Sequence, residues 1–195
     1  MMEARTDYSV SDSDYSPRMP DTQQITQALS EIVELIAPGS KPSQRRLAEA
    51  IADRGVAAPS SALLRALYPD GPEIRAAGGL YEAGMSYCDW NTHPDEIRDS
   101  LIQLPSCPAA LNWDWVNEFD ESDERWDPEE IESFLWPLAA RCREVGSALI
   151  ILDTGSDGYG IGFASADRID RIVELARIAD CDLGVVHPGV ETFLV

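Results

Sequence analysis

The apolar positions of this chain follow two rhythms, helical at first and extended later. Ile25, Ala28, Leu29, Ile32, Leu35 and Ile36 recur at the three-and-four spacing that lines one side of a helix. Asp21 or Thr22 supplies its cap, and Pro38-Gly39 stops it. A second helix is predicted from about Pro42 through Leu47, Ala48 and Ile51, with Gly55 where a terminating glycine belongs. A third follows Ser60-Ser61 through Leu63, Leu64 and Leu67, ending before Pro69-Asp70-Gly71. Residues 21–77 therefore read as a helical lead-in. Residues 1–20 mix Ser, Asp, Tyr and Pro without period and read as a disordered tail.

The character changes at Gly78-Gly79. Leu80 to Trp90 can hold a strand, and Pro94-Asp95-Glu96 opens a helix carrying Ile97, Leu101, Ile102 and Leu104 up to Pro105. Leu111, Trp113 and Trp115 alternate with Asn112 and Asp114, which predicts a strand over 111–116. After an acidic run, Asp127-Pro128-Glu129-Glu130 has the signature of a helix start, and Ile131, Phe134, Leu135 and Leu138 form its apolar side. Pro137 is expected to kink or split that helix, which Gly146 ends. A hairpin follows, with strands at 148–153 and 159–164. Ser165 then caps a helix with Ile169, Ile172, Val173, Ala176 and Ala179 on one stripe. Leu183 to His187 and Val190 to Val195 read as the last strands. The fold class expected is α+β, a mainly antiparallel sheet with packed helices over residues 78–195.

Charge changes the picture next. A net charge of −20 and a pI near 4.2 make a surface that repels nucleic acid and anionic lipid, and attracts a basic protein. Arg45, Arg46, Arg54 and Arg65 lie among acids and make no nucleic-acid patch. No stretch approaches the roughly 20 apolar residues of a membrane span, and the start has no secretory-signal pattern. Cys88, Cys107, Cys142 and Cys181 are far apart and read as reduced thiols, which makes the cytoplasm the expected compartment.

The candidate chemistry is sparse. Asp153-Thr154-Gly155-Ser156 after two apolar residues has the form of an aspartic-protease signature, but there is one copy and only 42 of the 195 residues follow Asp153. As a calcium loop it fails at Gly155 and Ala164, where oxygen donors are needed. His93 and His187 have no partner at metal-ligand spacing, and the glycines at 155, 158, 160 and 162 do not follow the dinucleotide pattern. No catalytic, cofactor-binding or metal residues are assigned. Two other sets remain. Glu118, Asp120, Glu121, Asp123 and Glu124 surround Trp126 in an acidic segment with an aromatic anchor, the composition of a protein-binding hot spot. Asp153, Asp157 and Tyr159 could form a ligand loop for small-molecule binding or hydrolysis, although a plain turn accounts for the same residues.

At Asp89-Trp90, Pro94-Asp95-Glu96-Ile97, Trp113-Asp114-Trp115 and Leu152-Asp153-Thr154-Gly155-Ser156-Asp157-Gly158-Tyr159, the chain resembles a bacterial domain-of-unknown-function family. Its members are small acidic proteins with an Asp-x-x-x-Asp-x-Tyr hairpin followed by a helix and a last strand. The resemblance covers roughly residues 80–187, leaves residues 1–75 outside, and implies no catalytic residue. In size, charge and layout it is similar to the acidic α+β immunity proteins that accompany bacterial toxins. The functional expectation is a non-enzymatic, immunity-type inhibitor that covers a basic partner, with a ligand-binding or hydrolytic loop at Asp153–Tyr159 as the alternative.

Overall fold

A computed structural model describes residues 21–69, 82–89, 91–118, 131–155 and 157–188. The expected disordered tail, the start of the helix at Asp127 and the strand Val190–Val195 lie outside the described residues. What is described is α+β. Four strands, β1 (Met85–Asp89), β2 (Ser147–Asp153), β3 (Gly158–Ser165) and β4 (Leu183–Val185), form one antiparallel sheet in the order β1-β3-β2-β4.

The three predicted N-terminal helices are α1 (Thr22–Ile36), α2 (Lys41–Arg54) and α3 (Pro59–Leu67). Asp21 closes a capping box on α1: its carboxylate accepts from Gln24 N while the Gln24 side chain accepts from Asp21 N. Ser40 caps α2, and Gly55 ends it at a φ of 67°. Three more described helices follow: α4 (Pro94–Leu101), α5 (Glu132–Glu144) and α6 (Ile169–Ala179).

The sheet is covered on both faces because its inner strands carry apolar side chains on both. Ala148, Ile150 and Leu152 point to one face, where they share a core with Leu29, Ile32 and Val33 of α1, Leu63 and Leu67 of α3, and Ile172 and Leu175 of α6. Leu149 and Ile151 point to the other, with Ile161 and Phe163, and meet Ile97 and Leu101 of α4 and Phe134, Leu135 and Leu138 of α5. Burying one such side chain contributes about 1.5–3 kcal/mol, so each layer is a substantial hydrophobic unit. The helical segment 21–67 thus supplies part of one of the sheet's two covering layers.

On β3 the residues facing α1 and α3 are small. Gly158, Gly160, Gly162 and Ala164 occupy alternate positions on that face, with Tyr159, Ile161 and Phe163 on the other. This lets Met85 lie across β3 and brings Leu64 of α3 to van der Waals distance: a Cβ at Gly160 would meet Leu64 Cδ1 at 3.2 Å and Met85 Sδ at 3.3 Å.

Three expectations are corrected. Residues 111–116 do not form a strand: Asp114–Glu118 is a 3-10 helix. Local hydrogen bonds win over sheet pairing there, since Asp114 N donates to Asn112 Oδ1 at 2.7 Å and Trp115 Nε1 to the Asn112 carbonyl at 3.1 Å. The helix at Pro94 ends at Leu101, where tight turns take over, leaving Ile102 49% exposed while Leu104 stays buried. Pro137 does not split α5, which runs unbroken to Glu144. The apolar side of Phe134, Leu135, Leu138 and Cys142 packs on the sheet and offsets the hydrogen bond that proline removes. A smaller difference is a 3-10 turn, Ala166–Arg168, between Ser165 and α6.

Candidate functional site

The hairpin between β2 and β3 is closed by its own side chains. Asp153 Oδ1 accepts from Gly155 N at 2.7 Å, and Thr154 Oγ1 donates to the Gly158 carbonyl at 2.9 Å. Gly155 takes a φ of 68°, which a side chain would oppose. Asp153 is paired across the ladder with Tyr159, whose half-buried ring packs against the α4–α5 side of the core. Of the three residues of the ligand loop, Asp153 and Tyr159 are therefore occupied in the turn and the core, and Asp157 is exposed.

The sheet order brings further carboxylates to the same end. Asp89 closes β1 opposite Gly158, and the Asp182 carbonyl accepts from Asp153 N at 2.9 Å just before β4. Asp89, Asp157, Asp153 and Asp182 thus mark four neighbouring strand ends, spread over three interstrand steps or roughly 14 Å. Ser60 Oγ donates to Asp182 Oδ2 at 3.4 Å, and among the described residues none of the four carboxylates has a cationic partner. Nor could any group of three or more described His, Cys, Asp or Glu side chains hold a metal ion.

The described residue at the C-terminal edge of the acidic segment, Ile131, lies toward this end. Helix α5 is followed within two residues by β2 and therefore runs back along it, so that 13 helical residues, about 20 Å, return Ile131 toward the hairpin tip. Residues 118–132 contain nine acidic side chains and one base, Arg125. Glu118 ends the 3-10 helix, while Asp120, Glu121, Asp123, Glu124 and Trp126 lie outside the described residues. The root of the segment is well anchored: Val116 and Ile131 are buried, Trp115 stacks on Phe134 at 5.2 Å, and Arg141 lies over the Trp115 ring at 4.4 Å. Trp113, Trp115 and Trp136 are partly buried against the core, and Trp90 lies outside the described residues, as Trp126 does.

The cysteines do not read as nucleophiles. Desolvation pushes the Cys142 and Cys181 thiols up to about 12 and raises those of Cys88 and Cys107, so all four stay protonated at neutral pH. Asp89 and Asp182 joined the site only through strand order, although each stands at a sequence position where a predicted strand ends or begins. Arg141 over Trp115 had no sequence signal, because the two are 26 positions apart.

No described helix is long and apolar enough to cross a membrane. Among known proteins, one family model matches the chain, over residues 28–187; its description is a domain of unknown function. The match extends well upstream of the hairpin-containing region and takes in most of α1 and all of α2 and α3. No curated protein and no solved structure matches.

Proposed function

We propose, for a chain that belongs to the DUF6630 family, a non-enzymatic role as an acidic protein-binding domain of the immunity type, which neutralises a basic partner. The supporting observation is the gathering at one sheet end of Asp89, Asp153, Asp157 and Asp182 with the point where the 118–132 segment re-enters the fold. These acids come from separate parts of the chain and stand at or next to the ends of paired strands. A fixed row of like charges costs stability through self-repulsion, and a basic surface laid over it would relieve that cost and accelerate encounter. Trp126, within the acidic segment, supplies the aromatic anchor such interfaces use. The ligand-loop alternative draws less support, because Asp153 and Tyr159 are already engaged in turn and core.

The test is affinity purification of the tagged protein from its native cells, followed by titration calorimetry with the purified partner at low and high salt. We expect a basic partner whose binding weakens at least tenfold when Asp120, Glu121, Asp123 and Glu124 are changed to Lys, and again in D89K/D157K. A partner bound equally well by both variants overturns the proposal.

A further inference from the structure

At the other end of the sheet, where β1 and β2 begin and β3 ends, lies a cleft of about 870 Å³. The α1–α2 turn forms one wall and the Pro105–Pro108 turn the other, so the cleft sits between the two covering layers. Its accessible surface is mainly apolar, from Leu35, Ala37, Pro38, Pro42, Pro105 and Pro108. Its size is that of a pocket for a small organic molecule.

Its charged groups are two cations and one acid. Lys41 and Arg168 line the cleft, with Glu82 as the single acid, in a molecule whose net charge is −20. Arg168 Nη1 donates to the Leu35 carbonyl at 3.1 Å, which fixes the guanidinium against the wall and leaves its other N–H donors without a partner among the described residues. Lys41 has no ion pair among the described residues, and it is the first residue of the 14-residue helix α2, whose positive end opens here. A further donor lies in the wall: Ser106 Oγ is buried and has no hydrogen-bond partner among the described residues, a state that a guest reaching it would relieve. One anchored cation, one exposed cation, an orphaned hydroxyl, a helix N-terminus and apolar walls line one space.

We infer that this cleft binds a small amphipathic anion, a carboxylate or phosphate head on an apolar body. The head would sit between Lys41 and Arg168, near Ser106, and the body would cover Leu35 and the proline walls. This site is independent of the acidic end and does not rest on the partner reading.

Decanoate, decyl phosphate and the uncharged 1-decanol are the probes, each titrated calorimetrically into the full chain. One saturable site for at least one of the two anions is expected, with decanol at least tenfold weaker. The preferred anion reports whether the head is a carboxylate or a phosphate. K41Q/R168Q should weaken anion binding at least tenfold and leave decanol unchanged. K41Q alone, at an exposed position with no ion pair among the described residues, should weaken it severalfold with the melting temperature intact, which separates lost binding from lost fold. Absence of saturable anion binding, equal affinity for decanol, or anion binding unchanged in K41Q/R168Q overturns the inference.

Discussion

Gly162 shows how one absent side chain sets the thickness of the molecule. A Cβ there would fall 2.6 Å from the Gly84 carbonyl oxygen and 3.1 Å from Met85 Cγ, so β1 and β3 could not keep their register without moving backbone. At Gly160 the nearest atoms stand at 3.2–3.3 Å and belong to side chains, which can yield by a few tenths of an ångström. G162A should therefore cost about 1–3 kcal/mol, as overpacked sites do, and G160A distinctly less. Urea titrations of the two variants decide it, and equal losses would mean that the backbone contact at Gly162 is no tighter a constraint than the side-chain contacts at Gly160. The Asp153 carboxylate makes the complementary point. Its spacing looked like a catalytic motif, yet its oxygen is spent on Gly155 N, an ordinary turn.

Between elements, the clearest polar tie joins α1 to α6. Arg171 Nε and Nη2 donate to the two carboxylate oxygens of Glu31 at 2.7 and 2.9 Å, and Arg171 Nη1 donates to Glu174 at 2.7 Å. The Arg171 hydrogen bonds hold the Glu31 carboxyl below its ordinary value of 4.5. A carboxyl depressed in the folded state stabilises the fold above its unfolded value, and that contribution fades as pH falls through the folded one. The pair is solvent-exposed, so its contribution is small. Wild type should thus melt slightly above E31Q at pH 6, with the gap closing as pH drops below 4.5 toward 3. A gap that widens on acidification would contradict the assignment. Packing, by contrast, decided α5. Pro137 argued for a break, but the buried side of the helix outweighs one missing hydrogen bond.

At the scale of the whole molecule, charge is distributed along the sheet axis. The hairpin end carries aspartates on four strand ends, while the cleft end carries Lys41 and Arg168. With a net charge of −20, self-repulsion opposes the compact state at low ionic strength. Raising salt from about 20 mM to about 500 mM shortens the screening length severalfold and should raise the melting temperature by several degrees. The D89K/D157K variant, with less crowded charge, should show a smaller rise. A salt-independent melt would remove repulsion from the account of why this surface suits a basic partner.

Most of the element plan was legible because it rests on local rules. The Asp21 cap, the stripe of Leu29 and Ile32, Gly55 after α2, and the apolar run of β2 each declare their structure within a few residues. Residues 111–116 were not legible, because alternating Leu and Trp suit a strand or a half-buried 3-10 turn, and the Asn112 side chain chose between them. Composition alone also determined the excess of negative charge. Strand order was beyond the sequence: that β1 adds outside β3 and β4 outside β2 depends on contacts between residues far apart in the chain. That order alone placed Asp182 beside Asp153 and Asp89 at the same end of the sheet, while tertiary packing gathered Lys41, Ser106 and Arg168 around one cleft at the opposite end.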